Sequence, residues 1–276
     1  MGLSEFLHFY WTENADPRTN HWPLIGSPYI MPLFSVSYLY FVLKCGPNFM
    51  KDRKPYNLKT FIKLYNIFQI VANAYFVKSF IDAGWFTTIS LGCEPINYAT
   101  EGGPVKLAET MWWILIVKII DYIETFIFVL RKKNRQISFL HLYHHVSTAL
   151  IQWLITKYVP GGMTTFGNLV NCSVHVIMYT YYYLTTCGPT VQKIIAPFKP
   201  MITIIQMVQF WVLMIYGIQS LLPSCPVTRI AGPLMILNLL INFFLFYNFY
   251  KKNYKEEEEK KKLLNQQQQQ KKKKAN

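Results

Sequence analysis

Three imidazoles crowd one short stretch, His141-Leu142-Tyr143-His144-His145, at the start of an otherwise apolar segment. Positions i, i+3 and i+4 share one face of a helix, so a helical segment aims all three rings the same way. Histidine moves protons near neutral pH, acts as a nucleophile and binds metals. A fourth, His175, lies in the next apolar segment, while His8 and His21 sit near the N-terminus. Removed from water, an imidazole stays neutral, and a neutral ring nitrogen can take an activated acyl group as a reactive acyl-imidazole.

Other polar residues repeat at helical spacing in the neighbouring apolar segments. Lys118, Asp121, Glu124 and Thr125 form one stripe, Asn171, His175, Met178, Tyr179 and Tyr182 a second, and Thr203, Gln206 and Gln209 a third. An ionisable group near the centre of a bilayer costs roughly 2.5 to 3.5 kcal/mol, so Lys118, Asp121 and Glu124 must face protein, each other or water. An internal Lys118–Asp121 ion pair that only fixes packing is the plain alternative. Counted along helices that alternate in direction, the stripes lie at similar depths and can meet in one half of a bundle. A di-iron centre needs more imidazoles than four, so no metal and no bound cofactor is expected. Cys172, three residues before His175, offers a second nucleophile.

The elements that must hold these residues are membrane helices. The 276-residue chain is 52% hydrophobic and 17% aromatic, too apolar for an ordinary soluble domain. About seven runs of roughly 20 apolar residues fall near 27–45, 60–83, 108–130, 137–157, 165–187, 199–222 and 229–250. The expected fold is therefore all-α, a polytopic membrane protein whose domain spans 1–250. Lys51, Arg53, Lys54 and Lys59 follow the first run, Arg131, Lys132, Lys133 and Arg135 the third, and Lys193 and Lys199 the fifth, whereas the alternate connections carry about one basic residue each. By the positive-inside rule these loops and the C-terminus are cytosolic and the N-terminus lumenal. Residues 1–26 lack a basic, signal-like start, and Phe6 spoils a myristoylation motif.

The net charge of +14 sits in these loops and in the tail, where topology and anionic lipid account for it, so no nucleic-acid partner is expected. The tail, 251–276, is blocks of Glu, Lys and Gln that cannot bury a core, and is expected to be disordered. It closes on Lys273-Lys274-Ala275-Asn276, a dilysine-type signal for the endoplasmic reticulum. Cys93 and Cys225 fall in lumenal connections and could pair, while Cys45 and Cys187 face the reducing side.

The stripes, taken together with Gly46-Pro47, Arg53-Lys54-Pro55, Tyr65-Asn66, the run Phe128 to Lys133 and Phe139-Leu140 before His141, resemble the ELO family of very-long-chain fatty acid elongases over nearly the whole chain to about 250. The resemblance implies seven helices enclosing an acyl tunnel in the membrane of the endoplasmic reticulum. It also implies a 3-oxoacyl-CoA synthase reaction, in which a long-chain acyl-CoA and malonyl-CoA condense with loss of CO2 and CoA. Both thioesters are substrates, and separate reductases and a dehydratase complete each cycle. A homodimer is compatible with this family. In its terms His144 is the expected nucleophile, with His141 or His145 orienting it or moving protons. His175 would polarise a thioester or enolate oxygen, with Asn171, Gln206 and Gln209 donating nearby. Lys118, Asp121, Glu124, Tyr179 and Tyr182 would line the substrate, and Arg53, Lys132 and Lys133 would meet the phosphates of CoA. The tail would run toward the lumenal side past Trp153, Met163 or Trp211. One departure is plain: the family's K-x-x-E-x-x-D-T appears here with its acids exchanged, as Asp121 and Glu124. Gln136, five residues before His141, leans toward elongases of polyunsaturated chains. A seven-span receptor or transporter shares the topology, but not an inward-facing histidine cluster.

Overall fold

Apolar runs of the length found above satisfy their own backbone hydrogen bonds only as helices, and a computed structural model of the chain is helical, with no strand among the described residues. The structure describes residues 2, 9–225, 227 and 231–256. The rods are α1 (Ile30–Met50), α2 (Lys59–Asp82), α3 (Gly103–Ile120) and α4 (Tyr122–Leu130). They continue with α5 (Phe139–Tyr158), α6 (Thr164–Leu184), α7 (Pro189–Leu221) and α8 (Ala231–Lys255). Of these, α1, α7 and α8 are by length and composition alone apolar enough to cross a membrane. The protein is a multi-pass helical membrane protein.

Two details depart from expectation. The third run is broken at Asp121, where the Glu124 amide bonds the Asp121 carbonyl at 3.1 Å and tightens the turn. Helix α8 continues five residues beyond 250 through a π-helical turn, Lys251–Lys255. The remainder of the tail, with its dilysine-type end, lies outside the described residues.

Helices packed in sequence order would make a simple bundle, but the contacts close a ring instead. Helix α2 packs on α6, α6 on α7, α7 on α8, α8 on α5, α5 on α3 and α3 back on α2. Helix α1 stays outside, against α5 and α4. Its approach is close at Gly46, where an added Cβ would meet Val129 at 2.6 Å. Pro47 has no amide to give the preceding turn, and residues Phe41–Cys45 widen into a π-helical turn.

One end of the ring is capped. Residues 11–26 lie over the ends of α3 and α5, with Trp112 and Trp153 donating to the carbonyls of Pro23 and Leu24 at 2.9 Å each. A buried Arg18–Asp16 pair (2.7 Å) and an Arg18 bond to the Asn97 carbonyl (2.7 Å) lock this segment to the loop between α2 and α3. Lys157, fully buried, gives its ammonium to Asn20 and Ile25 and lies over the Trp11 ring. The same loop carries Cys93, bonded to Cys225 beyond α7 with Cα atoms 5.6 Å apart.

The other end carries the basic loops. The Tyr56 amide bonds the Leu130 carbonyl at 3.0 Å and Lys132 reaches the Lys51 carbonyl at 3.1 Å. Helix α4 ends in a Schellman pattern, Lys133 to Phe128 at 2.8 Å and Lys132 to Val129 at 3.0 Å. Its left-handed residue is Lys132, with φ 53°, where glycine is usual. Left-handed backbone costs a side-chain-bearing residue about 1–2 kcal/mol, of which the entropy of a free glycine returns about 0.5–1. Lys132→Gly should therefore hold or raise the thermal midpoint in detergent and Lys132→Val should lower it, as differential scanning fluorimetry will register.

Candidate active site

Lys118, on the last turn of α3, and Asp121, at the break, both point into the ring and are almost fully buried. A carboxylate in that position needs donors from all sides. Asp121 accepts from Gln69 of α2 at 2.7 Å, and Tyr65 of α2 and Tyr179 of α6 each approach it at 3.4 Å. Asn73 donates in turn to the Gln69 backbone and side chain, at 2.8 and 3.2 Å. Lys118 lies 3.8 Å from Asp121 and donates to Asn171 of α6 at 3.2 Å. With its oxygen held by Lys118, Asn171 turns its amide nitrogen to His175 Nε2 at 3.4 Å. A single chain of contacts thus runs from α2 through α3 to His175.

Helix α5 begins at Ser138, whose hydroxyl caps the His141 amide at 3.2 Å. From there the three histidines separate into three partnerships. His141 Nε2 meets the Thr125 hydroxyl at 2.7 Å, itself 2.8 Å from the Tyr38 hydroxyl of α1. His145 Nε2 faces Glu124 at 3.6 Å. The ring centroids of His141 and His145 are 4.2 Å apart.

His144 turns to α8, where Nδ1 lies 3.0 Å from Asn242 Oδ1. The Asn242 nitrogen donates to the backbone and side-chain oxygens of Asn238, at 2.8 and 3.2 Å, and Tyr143 donates to Asn238 at 3.2 Å. Those bonds leave an oxygen facing His144, so Nδ1 carries the proton and Nε2 keeps a free lone pair. Among the described residues Nε2 has no partner.

The exchanged acids divide the work by reach. The shorter Asp121 serves the α2 and α6 side, and the longer Glu124 crosses to His145. Of the other expected residues, Tyr182 stacks edge-on against Tyr179, Gln206 donates to the Met178 sulfur at 3.2 Å, and Gln209 is buried. Arg53, lying over the Phe49 ring, and Lys132 and Lys133 stand apart from the histidines, exposed at the basic end. Cys172 packs in an apolar cluster with Phe80 and Leu169. Met163 borders a cavity at the capped end, but Trp153 packs against Trp11 under the N-terminal segment. Trp211 is 53% exposed on the outer face, so neither tryptophan is placed to line a channel there.

Several participants went unread in the sequence. Gln69 and Asn73 continue Tyr65 at i, i+4 and i+8 on α2, and Asn238 and Asn242 stand at i, i+4 on α8. That spacing of amides in apolar runs was the available signal. Glu124, His141 and His145 also present donor atoms all within 4.8 Å of one another, a spacing a divalent cation could bridge.

Buried and half-buried histidines wired to hydroxyls, amides and carboxylates inside a ring of packed helices define a multi-pass membrane protein with an enclosed polar centre. Residues 23–262 match the model of ELO, the GNS1/SUR4 family, and the chain belongs to that family. It is 36% identical over 251 residues to very long chain fatty acid elongase 4 of Mus musculus, covering 91% of this chain and 79% of that one. It is 39% identical over 198 residues to elongase 1 of Homo sapiens (72% and 71%). To elongase 7 of Drosophila melanogaster it is 36% identical over 241 residues (87% and 73%).

The bond lengths rank the supports of Asp121. Gln69→Leu removes the short bond and leaves a buried acid short of a donor, a loss of about 1–3 kcal/mol. Tyr65→Phe removes only a long one and should cost clearly less, in thermal melts of the two purified variants.

Proposed function

We propose that this protein is a fatty acid elongase that condenses a long-chain acyl-CoA with malonyl-CoA, and that His144 Nε2 is the nucleophile. The observation that carries this reading is the tautomer imposed by Asn242. A half-buried imidazole whose Nδ1–H is held and whose Nε2 lone pair is free is ready to attack a carbonyl. In the first half-reaction Nε2 adds to the acyl thioester, CoA leaves as its thiol after protonation, and the acyl group stays on His144. In the second, malonyl-CoA loses CO2, and the resulting enolate carbon displaces the acyl group from His144 to give a 3-oxoacyl-CoA two carbons longer.

His175 and Asn171, oriented through Lys118, supply donors for the thioester or enolate oxygen, an arrangement whose value rises when it is built in advance. His141 and His145, backed by Thr125 and Glu124, can relay the proton that the departing thiol needs. Gln206 and Gln209 lie on the α7 wall for the malonyl carboxylate. Arg53, Lys132 and Lys133 would receive the CoA phosphates, and the strained backbone at Lys132 is consistent with a lysine kept for its charge. The Cys93–Cys225 bond calls for an oxidising compartment and lies at the opposite end from the basic loops. That supports the endoplasmic reticulum, with the N-terminus lumenal, the C-terminus cytosolic and CoA arriving from the cytosol. Reductases and a dehydratase would finish each cycle.

A second reading has one observation behind it, the clustered donors of Glu124, His141 and His145, which suit a metal-assisted reaction. One experiment separates the two. With acyl-CoA alone, the purified protein should release about one equivalent of free CoA in a single burst, unchanged by chelation. His144→Ala should abolish the burst, and Cys172→Ala should leave it intact. A burst lost on chelation and restored by a divalent metal would favour the second reading, and no burst at all would overturn the acyl-histidine step. Asn242→Leu frees the His144 tautomer and should slow the burst about ten- to hundredfold, measured by stopped-flow thiol detection.

A further inference from the structure

Helix α1 lies outside the ring, yet two of its hydroxyls reach inward. Ser35 meets the Tyr122 hydroxyl of α4 at 3.1 Å, and Tyr38 meets the Thr125 hydroxyl at 2.8 Å. The rings of Tyr38 and Tyr122 stack, with centroids 4.0 Å apart and planes inclined by 14°. Stacking and one bond each hold both phenols in place. Beyond Thr125 the row continues to His141 Nε2, 2.7 Å away.

A row of phenol, hydroxyl and imidazole can be polarised in either direction, since each hydroxyl both donates and accepts. Burial chooses between the two. Tyr38 is 2% exposed and Thr125 is wholly buried, whereas His141 is half-buried. If His141 Nε2–H donated to Thr125 and Thr125 to Tyr38, the phenol proton would be left in a sealed site where no described residue accepts it. Thr125 Oγ1 is the one partner of the Tyr38 hydroxyl among the described residues. A buried donor without an acceptor has lost water and gained nothing. Run the other way, Tyr38 donates to Thr125, Thr125 donates to Nε2, and the ring hydrogen of His141 falls on Nδ1. The group left open is then the N–H of a ring that is not sealed.

His144 gives the contrast. Both rings carry their hydrogen on Nδ1, but Asn242 holds that hydrogen in His144 and leaves the Nε2 lone pair free. In His141 the Thr125 hydroxyl occupies Nε2 and leaves the N–H free. One ring is thereby set to attack and the other to donate. The His141 ring is held in that pose between His145 and Phe128, with centroids 4.2 and 5.3 Å away.

We propose that Tyr38 is a positioning residue for the condensation: donating through Thr125, it fixes His141 as the Nδ1–H tautomer, and His141 then gives that hydrogen bond to the sulfur of the departing CoA. The proposal rests on the condensation reading above. No proton leaves Tyr38, which keeps its own and sets the direction of the others. Helix α1 is on this account part of the reaction centre and not only its outer packing.

The test uses full-length protein in detergent with isotope-labelled histidine, whose nitrogen NMR signals distinguish the tautomers, and His141→Gln identifies those of His141. Wild type should show His141 protonated at Nδ1 alone. Tyr38→Phe, which keeps the stacked ring and removes the donor, should show a mixture of both tautomers, and Thr125→Ser, which keeps the hydroxyl, should show the wild-type form. In turnover with acyl-CoA and malonyl-CoA, Tyr38→Phe should lower kcat about three- to tenfold, the worth of one hydrogen bond, with KM for the acyl-CoA little changed. In a Thr125→Val background the same substitution should cost nothing further, because its effect passes through Thr125. An Nε2–H tautomer in wild type, an unmixed Nδ1–H tautomer in Tyr38→Phe, or a loss of kcat that adds fully to that of Thr125→Val would each overturn the proposal. If wild type forms no 3-oxoacyl-CoA, the condensation reading fails on its own. The tautomers then decide the direction of the row: a shift in Tyr38→Phe supports it, and none overturns it.

Discussion

A lone carboxylate cannot sit in the middle of a membrane protein, and the structure is organised around keeping Asp121 from being one. Removing it from water costs a few kcal/mol, and each hydrogen bond to a charged group returns about 1.5–3. Gln69 and Tyr65 bring α2 to it, Tyr179 brings α6, and Lys118 comes from its own helix. The tightened turn at Asp121 then sets the direction of α4, and so where Thr125 and Glu124 meet His141 and His145. Lys118, held near Asp121, is also what orients Asn171 and through it His175. The histidines owe their placement to a charge none of them touches directly.

The ring is turned inside out relative to a soluble bundle. On α2, Tyr65, Gln69 and Asn73 are buried while Leu64, Val71 and Tyr75 are exposed, and α8 buries Asn242 while exposing Leu234, Leu237 and Phe244. Apolar side chains outward suit lipid, and polar ones inward find partners only across the ring. Helices α1, α7 and α8 are long and apolar enough to cross a membrane, whereas α4 has nine residues and α2, α3, α5 and α6 interrupt their apolar runs with most of the polar side chains of the Asp121 and histidine network.

Periodicity made part of this legible beforehand. His141, His144 and His145 share a face because of their spacing, and the stripes of Lys118 to Thr125 and Asn171 to Tyr182 do meet, as similar depth along alternating helices implied. The exclusion of α1 and the pairing of α8 with α5 were not legible, because contacts between helices far apart in sequence follow side-chain shape rather than local pattern. Gln69 and Asn242 escaped for another reason: single amides in apolar runs look like ordinary packing until their partners are known. Trp153 and Trp211 were drawn to a channel by depth alone, and depth says nothing about which way a helix faces.

The bond between His144 and Asn242 joins residues 98 positions apart, about a third of the chain. Asn242 belongs to the last helix, so during synthesis His144 waits without its orienting partner while more than ninety residues are added, roughly 5–20 s at ordinary rates of elongation. Through that interval the nascent protein holds histidines but no fixed tautomer at His144. On the proposed acyl-histidine reading, arming His144 is thereby tied to completion of the ring, and an unfinished chain in the membrane does not consume activated acyl groups.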